Sequence, residues 1–257
     1  MTEIRRDFHQ QLDDVQRDMV RVAARVIDSI MRGTHALLDH DLVTAQAVID
    51  GDDEIDALTI ELEERLFMML ALQQPVARDL RSIVAAIRLT SEIERSGDLM
   101  VNVAKSTRRL YGADIPAPLR VLLLAMAEEA TRLFGLAMDS YADGNAALGN
   151  ALDDLDDRLD QLHREYIKTI VQLDANEIDI QMIVQLGLVG RYYERIGDHA
   201  VNIGERVGYI VTGWMPENTG AARVAARGRH PDPNAGTDRP APSDDDQPAA
   251  EPPEPAP

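Results

Sequence analysis

Two copies of one short phrase carry the residues with the clearest chemistry in this sequence. The chain reads ERSGDLMVN at residues 94–102 and ERIGDHAVN at residues 194–202, and six of the nine positions are identical. Residues four apart on a helix lie about 40° apart around the axis and about 6 Å along it, so Glu94 projects with Asp98, and Glu194 with Asp198. Like charges at this spacing destabilise a helix by roughly a few tenths of a kcal/mol, so each pair favours a bound cation.

The helix before each phrase is predicted to bring further carboxylates to the same height. If an antiparallel hairpin turns between residues 74 and 75, Asp53 and Asp56 lie level with residues 96 and 93. A turn centred on residue 176 places Asp153 level with residue 199 and Asp156 level with residue 196. Two sets of four carboxylates are therefore expected to converge: Asp53, Asp56, Glu94 and Asp98 in one, and Asp153, Asp156, Glu194 and Asp198 in the other.

Such sites would hold a metal ion through oxygen atoms. The chain has no cysteine, which excludes both disulfides and zinc–thiolate sites. Oxygen donors favour hard cations, namely iron, manganese, magnesium or calcium, over copper, with zinc still possible. The alternative is that the carboxylates are solvated or paired with the nearby Arg95, Arg158 and Arg195, and that the repeated positions preserve a packing contact.

Two other repeated pairs accompany these carboxylates. Asn102 and Asn202 lie about 80° around the helix from the glutamates. We expect them either to donate hydrogen bonds that support the carboxylates or to form packing contacts. Asp79 and Asp179 fall in the first turn of their helices, where a negative charge suits the helix dipole, and we expect them to be structural.

No catalytic constellation accompanies the carboxylates. Diiron oxidases built on helical bundles use Glu-x-x-His, and none of the six histidines has a glutamate three residues before it. His199 follows Asp198 directly, but its counterpart is Leu99, so it is not part of a repeated site. Neither a glycine-rich phosphate loop nor a serine–histidine spacing is found. These observations favour a protein that is not an enzyme.

Composition and charge exclude several classes of partner. The net charge of -19 argues against nucleic acid, because binding a phosphate backbone needs a basic surface. The longest apolar run, at residues 121–127, is far shorter than a membrane span, and the N-terminus MTEIRRDFHQQLDDVQ is too charged for a secretory signal. We therefore expect a cytoplasmic protein without membrane insertion, whose partners are cations and basic protein surfaces.

The elements that must position the carboxylates are helices. Apolar residues recur at spacings of three and four, as in Val15, Met19, Val22, Val26, Ile30 and Leu37, or Ile55, Leu58, Leu62, Leu66 and Leu70. Turn-forming residues divide the sequence into an all-α fold of six helices, predicted at residues 3–39, 42–73, 76–110, 117–143, 146–174 and 178–212. No strand is predicted.

The six helices are predicted to form a tandem duplication. At an offset of one hundred residues the matches are Asp53 with Asp153, Asp56 with Asp156, Asp79 with Asp179, Ile83 with Ile183, and Val84 with Val184. We expect two tandem three-helix bundles, at residues 1–112 and 113–215. Residues 216–257 contain ten of the thirteen prolines and are expected to be a disordered tail.

The duplicated ERxGDxxVN phrase, the DxxID and DxLD segments before it, and the two three-helix units resemble the PhoU family of phosphate-signalling proteins, including the actinobacterial members called PhoY. The resemblance covers about residues 3–212 and implies a cytoplasmic negative regulator of the phosphate starvation response. Its implied partners are the sensor histidine kinase and the ATPase subunit of the high-affinity phosphate transporter, and a homodimer is expected. The metal clusters that some members carry would map onto Glu94 with Asp98 and onto Glu194 with Asp198.

A second hypothesis belongs to a different class of protein. Convergent carboxylates are also the ligands of carboxylate-bridged metalloenzymes of the helical-bundle type, such as oxidases or phosphohydrolases. The missing Glu-x-x-His motif and the expected surface position of the carboxylates favour the regulatory adaptor over this alternative.

Overall fold

Long amphipathic helices build the whole of the described fold. The computed structural model describes residues 3–173 and 179–214, with side chains from residue 5 onward. Within these ranges there is no strand, and the helices are α1 (Glu3–Asp39), α2 (Leu42–Gln73), α3 (Arg78–Arg109), α4 (Ala117–Asp143), α5 (Ala146–Val171) and α6 (Ile180–Thr212). The all-α prediction is confirmed. The expected tail, residues 216–257, lies outside the described residues.

The helices begin and end where local chemistry satisfies their free backbone groups. The side chain of Asp41 accepts hydrogen bonds from the first amides of α2, Asn145 does so for α5, and Asp179 for α6. Gly144 and Gly213 end α4 and α6 with φ angles of 61° and 78°, which glycine adopts without steric cost. The structural role predicted for Asp179 is therefore confirmed.

The boundaries predicted for α3 and around the turn between α5 and α6 differ from the structure. Helix α3 begins at Arg78 rather than at residue 76, because Gln74 and Ala77 both have positive φ angles on either side of Pro75 and Val76. Helix α5 ends at Val171. The predicted end of α5 at residue 174 and the predicted start of α6 at residue 178 lie outside the described residues.

Four helices form a closed ring and the other two flank it. Helices α1, α3, α6 and α4 pack in that cyclic order, α2 lies against α1 and α3, and α5 lies against α4 and α6. The apolar face predicted for α1, from Val15 to Leu37, is buried in this core with at most 2% exposure. We refer to α1–α3 as the first repeat and to α4–α6 as the second. No helix in the described part of the chain is long and apolar enough to cross a membrane.

An ion pair between the first and second helix occurs at equivalent positions of both repeats, but its two charges are exchanged. In the first, Arg25 of α1 pairs with Glu54 of α2. In the second, Glu129 of α4 pairs with Arg158 of α5 at 3.5 Å, and the Glu129 side chain is only 9% exposed. The positions correspond, because each residue of α4 and α5 lies 104 residues after its counterpart in α1 or α2.

Two glycines bring α5 unusually close to α6. A Cβ atom on Gly149 would lie 2.6 Å from the backbone oxygen of Gly204, and a Cβ on Gly204 would collide with the backbone of Gly149. Ala45 and Ala104 occupy the equivalent positions between α2 and α3, where they are fully buried. The helices of the second hairpin therefore approach one another more closely than a side chain at this level allows.

Candidate functional site

A glycine in each repeated phrase lets one carboxylate lie against the helix backbone. A Cβ on Gly97 would lie 2.7 Å from Oδ1 of Asp52, and a Cβ on Gly197 would collide with Oδ1 of Asp156. Real Cβ atoms essentially never approach so closely. An interior glycine destabilises a helix by about 1 kcal/mol relative to alanine. Here the missing side chain leaves room for an aspartate of the neighbouring helix.

These contacts correct the predicted register between the repeats. Asp52 and Asp156 are counterparts and lie 104 residues apart, whereas the glycine-bearing phrases lie 100 apart. The pairing of Asp53 with Asp153 and of Asp56 with Asp156 is therefore wrong. The hairpin of the second repeat is four residues shorter than that of the first, so a constant offset of one hundred holds for α3 and α6 but not for α2 and α5.

The corrected register defines two equivalent groups of carboxylates. The first carboxylate set is Asp52, Asp56, Glu94 and Asp98, and the second carboxylate set is Asp156, Asp160, Glu194 and Asp198. Equivalent members have the same burial: the aspartates of α2 and α5 and the glutamates are partly buried, and Asp98 and Asp198 are exposed. Asp53 and Asp153, which we expected among the ligands, are exposed. Their negative charges help to raise the pKa of Asp52 and of Asp156, respectively.

Crowding of like charges is evident in the first carboxylate set. Burial raises the pKa of Asp52 to about 7, and the charges of Asp56, Asp98 and Glu94 add to the effect. Burial, and then the charge of Asp98, also raise the pKa of Asp56 and of Glu94. The positive charge of Arg95, next to Glu94 on α3, partly offsets this effect on Glu94.

The second carboxylate set has the same crowding on α5. Burial raises the pKa of Asp156 to about 7, followed by the charges of Asp160 and Asp198. The Oδ1 atom of Asp156 is buried and has no hydrogen-bond partner within the described part of the chain. A buried carboxylate oxygen without a donor is the kind of atom that a cation would satisfy.

On α6, an arginine differentiates the second set from the first. The guanidinium of Arg191 contacts the carboxylate of Glu194 one turn away and lies 3.8 Å from Asp198. The residue at this position in the first repeat is Ser91. The second set is therefore partly neutralised by a side chain of its own helix.

A buried polar contact between α3 and α6 joins the two repeats. Nδ1 of His199 on α6 contacts the carboxylate of Glu92 on α3, and Asn202 donates to the same carboxylate at 3.3 Å. Burial opposes ionisation of Glu92, but the hydrogen bonds from His199 and Asn202 lower its pKa overall. The counterparts of Glu92 and His199 are Tyr192 and Leu99, so the contact occurs only once within the described residues. This agrees with the prediction that His199 is not part of a repeated site.

The arrangement fits a cation in its donor chemistry but does not by itself form a metal centre. Among the residues that the structure describes, no three Asp, Glu or His side chains are grouped so that they could hold a metal ion. In the first carboxylate set, four oxygen-donating groups lie on α2 and α3, and the charge of Arg95 acts on one of them, Glu94. The composition of that set suits a hard divalent cation. The metal sites thus stay a prediction.

Sequence reasoning missed Asp52 and Asp160, although a signal for both was present. The segments DDEID at residues 52–56 and DDRLD at residues 156–160 align at an offset of 104, with identical burial at all five positions. Matching each helix separately, rather than the whole chain at one offset, would have found them. Two roles are expected for Asn102, a supporting donor or a packing contact, and in the structure its amide donates to the backbone oxygen of Asp98 rather than to a carboxylate.

Comparison with known proteins identifies the family. The family model described as "PhoU domain" matches the chain twice, at residues 19–107 and 123–207. The chain belongs to the PhoU family. It is 33% identical over 210 residues to the phosphate-specific transport system accessory protein PhoU homolog 1 of Mycobacterium tuberculosis, a match that covers 81% of this chain and 95% of that protein. PhoU homolog 2 of the same organism is 32% identical over 214 residues, covering 83% of this chain and all of the relative.

Solved structures of PhoU proteins have the same fold. PhoU from Pseudomonas aeruginosa superposes with a TM-score of 0.76 at 27% identity, over 80% of this chain and all of that one. The phosphate transport system regulatory protein PhoU from Streptococcus pneumoniae gives a TM-score of 0.75 at 23% identity, over 81% of this chain and 98% of that one. The first likeness supports the family, and the second shows the fold.

Proposed function

We propose that this PhoU family member is a regulator of phosphate transport that performs no chemistry of its own. In this proposal it represses the phosphate starvation response in the cytoplasm by joining the ATPase subunit of the phosphate transporter to a sensor histidine kinase. The observation that carries the proposal is the double match to the PhoU domain. It is supported by relatives, about one third identical over nearly their full length, that are named transport system accessory proteins.

Exposed apolar side chains support a role in binding proteins. Monomeric soluble proteins rarely expose large contiguous apolar patches, so a large patch of this kind marks a surface that binds another molecule. We call Ile167 and Val171 of α5, with Ile180, Val184 and Leu188 of α6, the α5–α6 patch, and these side chains are 37–78% exposed. Because Ile180 and Asp198 are 18 residues apart, or five helical turns, the patch and the second carboxylate set face the same side of α6.

The carboxylate sets would serve this role as cation sites on the binding surface. The carboxylates of the first set repel one another, so a divalent cation there would stabilise the α2–α3 face. A charged face of this kind also speeds encounter with basic partner surfaces and discriminates against acidic ones. The metal would then have a structural role, in holding the face or bridging it to a partner.

Deletion of the gene tests the regulatory role in cells. We expect phosphatase and high-affinity transporter genes to be expressed under high phosphate when the gene and any paralogue are removed. The full chain should restore repression when it is supplied again. Unchanged expression in the deletion strain would contradict the regulatory function.

Binding assays with purified proteins test the adaptor role. The full chain should bind the cytoplasmic part of the sensor kinase, or the transporter's ATPase subunit, with an affinity that falls as salt is raised. Val184→Asp places a charge in the α5–α6 patch and should weaken binding by about tenfold, since it buries an unpaired charge in an interface. Val121→Asp, at a valine on α4 that is 69% exposed, is the matched control. Equal binding by both variants would exclude this patch as the contact.

Metal analysis separates the adaptor from a metalloenzyme. Asp98→Asn together with Asp198→Asn should reduce bound metal and leave the helix content nearly unchanged, because both side chains are exposed. Full metal content in this double variant would show that the proposed ligands are wrong. Oxygen-consumption and phosphatase assays on the metal-loaded chain should show no turnover, and robust turnover would favour the enzyme instead.

A further inference from the structure

We infer that the outer side of α2 is a docking surface for a basic amphipathic helix of a partner protein. The surface, which we call the α2 stripe, consists of four large apolar side chains that are 54–69% exposed, namely Ile60, Phe67, Met68 and Leu72. It lies in the first repeat and is distinct from the α5–α6 patch. This surface is independent of the regulatory role and of the proposed cation sites.

The α2 stripe faces away from the helices that pack against α2. Ile60, Met68 and Leu72 follow the row of every fourth residue along the helix. Leu66, which is fully buried in the core, lies two residues from Met68 and therefore about 160° around the axis. Among the described helices α2 packs only against α1 and α3, so the described part of the chain leaves the stripe uncovered.

The equivalent side of the second repeat is polar. At the offset of 104 residues, the residues in the positions of Ile60, Glu64 and Met68 are Arg164, Lys168 and Gln172, and all three are exposed. In α2 the segment LFMMLAL at residues 66–72 contains no polar residue, so apolar side chains face both the core and the solvent. A helix that is apolar on both sides is ordinarily covered on both, which indicates a further neighbour for α2 but not for α5.

A groove between α1 and α2 lies beside the stripe. It has a volume of about 520 Å³, and its walls include Val15, Glu61, Glu64, Met68 and Leu72. A groove between two helices can receive the apolar side chains of a third helix. Methionine is flexible and polarisable, so Met68 can adapt its shape to such a helix. Because Met68 and Leu72 belong to both, the groove and the stripe form one continuous surface.

The charge around the stripe selects the partner. Helix α2 has eight acidic residues and one basic residue, Arg65, which is paired with Asp18 of α1 at 2.7 Å. Glu61 and Glu64 are exposed at the edge of the groove. A second copy of this chain would bring two acidic α2 helices into contact, and like charges oppose that pairing. A helix with lysine or arginine on one side and apolar residues on the other complements both the stripe and its acidic edge.

Binding of a defined peptide to the full chain tests this docking surface. The probe is a fluorescein-labelled peptide of leucine and lysine, about 18 residues or five helical turns long, whose leucines recur at spacings of three and four. Fluorescence anisotropy should show binding that weakens as the salt concentration is raised. A peptide of the same composition whose leucines do not follow the helical spacing should bind about tenfold more weakly.

Variants without a change of charge locate the peptide on the chain. Ile60→Gln together with Met68→Gln removes apolar surface from the stripe and should weaken peptide binding about tenfold. Val43→Gln is the matched control, because Val43 is 81% exposed on the same helix but about 25 Å from Ile60. It should leave the affinity unchanged. Circular dichroism should show the same helix content in both variants, since all three side chains are exposed.

A second pair of variants tests the acidic edge. Glu61→Gln together with Glu64→Gln should weaken peptide binding about fivefold and reduce its dependence on salt. Glu128→Gln together with Asp139→Asn removes the same number of charges from exposed positions of α4. Its effect should be clearly smaller, because those charges lie on a helix that does not contact α2.

Each outcome decides for or against the partner helix. Equal affinities of the Ile60 and Met68 double variant and of Val43→Gln would overturn the inference, and so would equal binding of the two peptides. Sedimentation of the chain without peptide tests the other occupant. A dimer that the double variant converts to a monomer would show that a second copy covers the stripe, and would also overturn the inference. The deletion experiment decides the regulatory role independently of these results.

Discussion

The α2–α3 face of the first repeat and the α5–α6 face of the second present equivalent carboxylates in different surroundings. Ser91 and Glu63 accompany the first set, whereas Arg191 and Ile167 occupy those positions beside the second. At the level of the carboxylates the two hairpins share one arrangement, with a glycine on one helix facing an aspartate on the other. In this duplicated protein, the residues around the carboxylates, and not the carboxylates themselves, differentiate the two faces.

The comparison extends to the contact between the repeats. Glu92 of the first repeat accepts hydrogen bonds from His199 and Asn202 of the second, but Tyr192 and Leu99 make no such pair in the opposite direction. The ring of helices is therefore not symmetric in its polar contacts. Substitutions on the two sides of this contact should therefore differ in their effect on stability.

The largest effect is expected for His199→Leu, which installs the residue found at position 99. The largely buried carboxylate of Glu92 would keep only the hydrogen bond from Asn202. Breaking a buried charged contact lowers the free energy of unfolding by about 3 kcal/mol. Urea denaturation measures this loss. Adding Glu92→Gln should recover part of it, because a neutral amide is less costly to bury. A double variant as unstable as the sum of both changes would show that the two side chains do not interact.

A smaller loss is expected for Gly204→Ala, which tests the closeness of α5 and α6. The added methyl group would meet the backbone of Gly149 and force the helices apart, at a cost of about 2 kcal/mol. Gly187→Ala in the same helix is the matched control, since nothing lies within 4 Å of its Cβ position. That control should stabilise the protein slightly. Thermal unfolding of the two variants should therefore shift in opposite directions.

Replacing Asn202 should lower the stability more than replacing Asn102, its counterpart in the first repeat. Asn202→Ala removes a hydrogen bond to the Glu92 carboxylate and should cost about 1 kcal/mol. Asn102 donates only to a backbone oxygen of its own helix, so Asn102→Ala should change the stability by less than about 0.5 kcal/mol. Equal losses in urea denaturation would contradict the asymmetry of the contact.

A dependence of stability on pH is expected to be common to both repeats, because burial raises the pKa of Asp52 and of Asp156 to about 7. Since the pKa of Asp52 is raised from 3.8 to about 7, the folded state holds this proton more tightly than the unfolded state. The resulting stability is present below about pH 4 and is lost as the pH rises through about 7. Asp52→Asn should reduce this decline, although water screens a side chain that is only half buried. Asp139→Asn, an exposed change on α4, should leave the profile unaltered.

Much of this molecule could be predicted from its sequence because its helices are long and regular. The apolar spacing of α1 and the capping residues predicted the helices to within a few residues. The carboxylates of the repeated phrase were recognised, but Asp52 and Asp160 were not. Their position depends on the length of each hairpin, which a constant offset conceals. The contact of Arg191 with Glu194 depends on side-chain orientation, which spacing does not determine.

The exchanged charges of Arg25–Glu54 and Glu129–Arg158 bear on how a duplicated chain avoids misassembly. Because the repeats have the same apolar pattern, α1 could pack on α5, or α4 on α2, during folding. Those pairings would place Arg25 against Arg158 and Glu129 against Glu54. Arg25, Glu54 and Arg158 are exposed, so each like-charge contact is only weakly unfavourable, and the two together favour pairing of each first helix with the second helix of its own repeat.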